Sequence, residues 1–239
     1  MGVLTNEQKV KILSEIVAIP SVNDNELAVA QYLEQWLNRY DIDTHIDYIS
    51  GERANLIATI GSGKPVVAVS GHMDVVNEGN HDDWTSPPFE LTERNGHLYG
   101  RGAADMKSGL AALVIAMIEI KASGQLKHGT IRLLATAGEE MEQAGSEQLY
   151  RKGYMADVDA LVIAEPSYPS IVYAHKGSMD IKITSQGRSS HSSTPFMGEN
   201  AITPLIELVQ NINQAYEEIT QRIKGKALDY GNMVNQMAD

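Results

Sequence analysis

The chain has 239 residues, 43% of them hydrophobic and 21% charged, which is enough to bury the core of one full domain and part of a second. Its 19 Lys and Arg against 31 Asp and Glu leave a formal charge of −12, which excludes a polyanionic partner such as nucleic acid. There is no cysteine, so disulfides and thiolate metal sites are excluded and any metal must be held by His, Asp and Glu, a composition that fits a cytoplasmic enzyme.

The first residues carry no basic region followed by an apolar run, so no signal peptide is expected, and Asn6 stands where a myristoylation pattern needs Ser or Thr. The longest apolar run, 110–118, is too short to cross a bilayer. Thr5 and Gln8 form a capping-box pair ahead of Val10, Leu13, Ile16 and Val17, which recur at helical spacing. A second helix is expected from about Asn23, with Glu26 three residues on, burying Ala30, Leu33 and Leu37. β-rich runs follow at 44–49 and 55–60, and then a Gly61-Ser62-Gly63 turn. The unbroken run 65–70 (PVVAVS) reads as a strand covered on both faces. Asn95-Gly96 between short apolar pairs reads as a tight hairpin turn.

Residues 108–121 form a strongly apolar helix closed by Gly124. The runs 130–135 (TIRLLA) and 160–164 (ALVIA) are two more buried strands, with a helix over 146–152 between them. Buried strands alternating with helices predict an α/β fold with a mainly parallel sheet and flanking helices. From Ile171 the character changes: Ile181 and Ile183 alternate with polar neighbours like a half-exposed strand, and 201–223 reads as one long amphipathic helix. This divides the chain into domains 1–178 and 179–239.

The chemistry clusters at strand ends. His72 follows the 65–70 strand, where open α/β sheets bind ligands, and Asp74 two residues on can accept the other ring N–H of a metal-bound imidazole. A turn histidine with an incidental aspartate fits the same residues. Asp105, in a stretch of small residues, either caps the helix after it or bridges two cations. Glu139 and Glu140 follow the 130–135 strand; they are either an exposed acidic loop or one metal ligand beside one free base. Glu165 ends the 160–164 run. Together these acids and one imidazole converge on one sheet edge, a donor set suited to Zn²⁺ and tolerant of Co²⁺ or Mn²⁺.

At these residues a resemblance emerges. GHMDVV, DDWTSPPFELTERNGHLYGRGAADMKSGLAA, AGEE and AEPS, in that order, resemble the di-zinc metallopeptidase and amidohydrolase family of desuccinylases, acetylornithine deacetylases, aminoacylases and carboxypeptidase G-type enzymes. Within it, the run 72–89 is most similar to the desuccinylases. The resemblance implies that His72 ligates one zinc with Glu165, that Asp105 bridges both zincs, and that Glu140 ligates the second. It further implies that Glu139 is the general base, that Asp74 orients His72, and that the Asp105–Met106 peptide is cis. The stretch GRSSHSS resembles the start of an α+β lid or dimerisation domain, whose histidine, matched by His191, reaches the active site of the partner subunit in a homodimer. A surface loop histidine is the other reading of His191. His45, His81, His97, His128 and His175 have no motif around them.

The implied activity is hydrolysis of an N-acyl amide on a small amino acid, with sibling activities or a catalytically inert metal-binding fragment as alternatives. The family supplies a last histidine ligand after its lid, and no histidine follows His191 here. The expectation is therefore that the 239-residue chain binds at most about one zinc tightly and has negligible amidase activity, which metal titration by calorimetry checks.

Overall fold

A computed structural model of the chain describes residues 2–167, 179 and 181–223. The expectations placed on Ile171, His175 and the 178 side of the boundary lie outside the described residues. Two compact units are present, residues 1–172 and residues 173–239.

In the first unit, α1 (Asn6–Ala18) begins at the expected capping box: Thr5 Oγ1 accepts from the Gln8 backbone N–H and Gln8 Oε1 from that of Thr5. Helix α2 (Glu26–Asn38) starts later than Asn23. Asn23 and Asn25 take left-handed backbone, and no side chain caps the helix. The reason is that Glu26 does not bend back to a cap; its carboxylate turns inward to Arg53 at 3.3 Å. Strands β1 (Asp43–Ser50), β2 (Arg53–Ser62) and β3 (Val66–His72) follow. The hairpin β4 (Thr92–Arg94) and β5 (His97–Tyr99) turns through Asn95 and Gly96, both at positive φ as a tight turn requires. Then come α3 (Ser108–Ser123), β6 (Gly129–Thr136), α4 (Ala144–Arg151) and β7 (Ala160–Ile163).

The central sheet has the order β1-β2-β6-β3-β7. Strands β1, β3, β6 and β7 run one way and β2 alone runs against them, so the sheet is mainly parallel with one reversed strand. Burial on both faces explains the unbroken apolar runs. On one face Leu56, Ala58, Ile60, Leu133 and Ala135 join the core made with α1, α2 and α3. On the other, Ile57, Ala68 and Leu134 pack with Leu149 of α4 and with Tyr154, Met155 and Val158. Val67 and Val69 are less covered than expected, because they line an apolar cavity of about 280 Å³ beneath Leu113 and Met117 of α3.

Two expectations are corrected. The 160–164 run does form a strand, but Leu161, Val162 and Ile163 are exposed, since β7 is the sheet edge among the described residues and pairs only with β3. Among the described residues, 181–187 pair with no strand, and Ile181 and Ile183 are exposed. In the second unit, an isolated bridge joins Arg188 to Glu199, and α5 (Ile202–Ile223) spans the expected amphipathic helix. Among the described residues, no helix is long and apolar enough to cross a membrane.

Leu33 is fully buried among α1, α2 and the sheet, whereas Val10 on α1 is 46% exposed. Leu33→Ala is expected to destabilise the chain by about 2–5 kcal/mol in urea unfolding, and Val10→Ala to stay within about 0.5 kcal/mol.

Candidate metal centre

Strand direction builds the site. The parallel trio β6-β3-β7 ends together, with His72 level with Thr136 on β6 and Ser70 paired with Ile163 on β7. The Ala164 N–H donates to the Ser70 carbonyl, so continuing the Ser70–Ile163 register by two residues brings Glu165 beside His72. The loop after β6 carries Glu139 and Glu140. Asp105 arrives from a wide, distorted turn over Ala103–Lys107 that leads into α3, with extended backbone at Asp105 and a cis Asp105–Met106 peptide. Asp105 is therefore not the cap of α3; Lys107 precedes its first residue. Gly109 lets this turn come close, since a Cβ there would stand 2.2 Å from the Ala164 carbonyl oxygen.

The side chains gather on His72, which is buried. His72 Nε2 is 3.1 Å from Asp105 Oδ1, 3.7 Å from Glu165 Oε2 and 3.8 Å from Glu139 Oε2. One ligand atom each from His72, Asp105 and Glu140 lie within 4.8 Å of one another. Asp74 works differently from the expectation. Its backbone carbonyl, not its carboxylate, faces His72 Nδ1 at 2.8 Å, while the nearest carboxylate oxygen is 3.7 Å away. The carboxylate instead accepts the backbone N–H groups of Glu139 (3.1 Å) and Glu140 (3.0 Å). A buried carboxylate gains more from two aligned backbone donors than from sharing one imidazole proton, which explains the exchange.

This geometry fits a cation. A carbonyl only accepts, so Nδ1 must donate to it and a neutral His72 presents the Nε2 lone pair toward Asp105. Two acceptors 3.1 Å apart repel unless a proton or a cation lies between them. Burial opposes a charged His72, but Asp74, Glu139 and Glu165 outweigh it and the imidazole pKa is raised. Burial, and then the charge of Asp105, raise the Glu140 carboxyl. Glu165 is pushed up to about 7, by burial first and by its hydrogen bond and charge repulsion with Asp105 next. Excess negative charge in a partly dehydrated cluster of nitrogen and oxygen donors is what a divalent cation relieves.

Reading the sequence did not single out three supporting residues. Lys107 is fully buried, and its ammonium donates to the carbonyls of Ile16 (2.7 Å) and Ile19 (2.8 Å), tying the Asp105 turn to the end of α1. A lone lysine at the head of an apolar helix was the available signal. Glu26, from α2, is expected only at the helix start, and Arg53, from β2, carries no signal. His191 lies in an exposed loop of the second unit, its Nδ1 2.8 Å from Ser193 Oγ.

A family model described as Peptidase family M20/M25/M40 matches residues 68–236. A probable succinyl-diaminopimelate desuccinylase of Staphylococcus epidermidis is 51% identical over 236 residues, covering 99% of this chain and 58% of the relative. An acetylornithine deacetylase of Proteus mirabilis is 33% identical over 229 residues, covering 91% of this chain and 58% of its own length. The chain thus spans 58% of the length of these curated relatives. Among solved structures, the M20 family metallo-carboxypeptidase Sso-CP2 of Sulfolobus solfataricus is similar with a TM-score of 0.63 at 18% identity, covering 94% of this chain and 61% of that one; the likeness is one of fold. Human carnosine dipeptidase 1 is similar with a TM-score of 0.53 at 26% identity, covering 68% of this chain and 39% of that one.

Because the Glu165 carboxyl is held near 7 without a cation and must ionise to ligate, metal uptake should release protons. Calorimetry in buffers of different ionisation enthalpy is expected to show about one more proton released at about pH 6 than at about pH 8.5, with affinity rising across that window. Uptake without this pH dependence would place Glu165 outside the ligand set.

Proposed function

The chain belongs to peptidase family M20/M25/M40, and from that premise we propose that it carries the metal-binding machinery of a zinc-dependent amidohydrolase that desuccinylates N-succinyl-diaminopimelate. Residues 1–178 are the catalytic domain in this reading and 179–239 part of a lid. His72, Asp105, Glu140 and Glu165 hold two zinc ions in the full-length subunit, with Co²⁺ or Mn²⁺ as substitutes. The observation that carries the reading is the cluster itself: His72, Asp105 and Glu140 share one 4.8 Å neighbourhood, and Glu139 stands beside it with its Oε2 3.8 Å from His72 Nε2. The 51% identity to a probable desuccinylase supports the substrate, and the acetylornithine deacetylase relative makes a sibling deacylation the competing outcome.

When bound, the metal supplies Lewis acidity toward the scissile carbonyl and lowers the pKa of water. Glu139 then accepts a proton from the attacking water and passes it to the leaving amine. Asp74 holds Glu139 through its backbone and His72 through Nδ1. The lid brings His191 of the partner subunit to the oxyanion in a cytoplasmic homodimer. The substrate places the enzyme in diaminopimelate and lysine biosynthesis.

A substrate panel on the full-length protein tests this. Turnover of N-succinyl-diaminopimelate is expected to exceed that of N-acetylornithine and of dipeptides. Glu139→Gln is expected to keep the metal and lose about 10²–10⁴-fold in kcat. Preference for acetylornithine would assign the sibling activity, and metal loss in the variant would make Glu139 a ligand.

A further inference from the structure

The loop that carries Glu139 and Glu140 is gripped from below by one strand. Arg53 and Asn55 are two residues apart on β2 and point to the same face. Asn55 is buried; its Oδ1 accepts from the Ala137 N–H and its Nδ2 donates to the Gly145 carbonyl, each at 3.1 Å, so it ties both ends of the loop together. Arg53 reaches the middle. Its Nη1 donates to Glu142 at 3.0 Å, and its Nη2 packs so closely under Gly138 that a Cβ there would be 2.0 Å away. Gly138, at φ +72°, is the pivot at which the chain turns from β6 toward Glu139.

Arg53 is itself held. Its Nη2 donates to Glu26 Oε1 at 3.3 Å, and the side chains are only 13% and 0% exposed. Arg53 Nε and Glu26 Oε2 are buried without a hydrogen-bond partner among the described residues. The pair's geometry directs the guanidinium toward Gly138 and Glu142.

We propose that Arg53, anchored by Glu26, is a positioning residue: through Gly138 and Glu142 it sets the direction in which Glu139 and Glu140 enter the metal cluster. Asp74 fixes the height of the same loop through two backbone N–H groups, and Arg53 fixes its rotation. The consequence for turnover rests on the amidohydrolase reading above; the consequence for metal affinity does not.

The test uses the full-length protein with Arg53→Met, Arg53→Lys and the double variant Glu26→Gln/Arg53→Met. Each is measured for Zn²⁺ affinity by calorimetry, for kcat and KM, and for thermal unfolding. Arg53→Met is expected to lower kcat by about 10–100-fold with KM within about twofold, and to weaken Zn²⁺ binding by about tenfold, as lost supporting contacts do at metal sites. Arg53→Lys should recover part of both, since an ammonium restores the charge opposite Glu26 but lacks the fork that spans two partners. The double variant removes the buried charge together with its partner, so it folds where Arg53→Met does not, and it should show the same loss in kcat and Zn²⁺ affinity. A folded Arg53→Met or double variant with unchanged kcat and Zn²⁺ affinity overturns the proposal. So does a loss in Arg53→Lys equal to that in Arg53→Met. If the wild-type protein hydrolyses no N-acyl amide, the amidohydrolase reading fails, and the Zn²⁺ affinities still decide the role of Arg53.

Discussion

The site depends on how Asp74 is used. Its backbone carbonyl faces His72 Nδ1, which leaves Nε2 directed at Asp105, and its carboxylate takes the backbone N–H groups of Glu139 and Glu140. One fully buried residue thus orients the imidazole and seats the acidic loop. Each contact has its own consequence: without the carbonyl the ring could present either nitrogen, and without the carboxylate the acidic loop would lose two of the contacts that seat it.

Around that residue the sheet provides direction and the turn before α3 provides closure. Strands β6, β3 and β7 deliver their ends to one edge because they are parallel neighbours. Asp105 meets them because α3 approaches β7 through Gly109, and because the buried Lys107 ammonium fastens the turn to the carbonyls that end α1. Burial draws the Lys107 pKa down to about 7, and Asp74 pushes back. The acid-rich cluster is therefore supported by two basic side chains, Lys107 holding its turn and Arg53 its acidic loop.

That electrostatic imbalance is what makes the cluster a binding site and not a store of stability. Carboxyl groups of Glu140 and Glu165 are held above their usual range by burial and by Asp105, so the cluster resists full ionisation. A cation reverses the sign of each of those interactions. The same fold recurs in the metallo-carboxypeptidase Sso-CP2 at 18% identity, so the backbone arrangement tolerates wide change in side chains.

How much of this was legible beforehand follows from the range of each interaction. The sequence by itself determined the local elements: the Thr5–Gln8 capping box, the Asn95-Gly96 turn and the apolar helix closed by Gly124 all rest on contacts within a few residues. It also marked candidate metal-binding side chains, because His72, Glu139, Glu140 and Glu165 follow apolar strand-like runs and Asp105 precedes an apolar helix. Only the tertiary structure decided which of those ends meet, since adjacency comes from strand order and β2 runs against its neighbours. It also decided that Asp74 serves His72 through its carbonyl, that Glu26 turns to Arg53 instead of capping α2, and that the apolar β7 lies at an exposed edge. Each of these is a choice among competing partners far apart in the chain, and proximity in space, which no local pattern encodes, settles it.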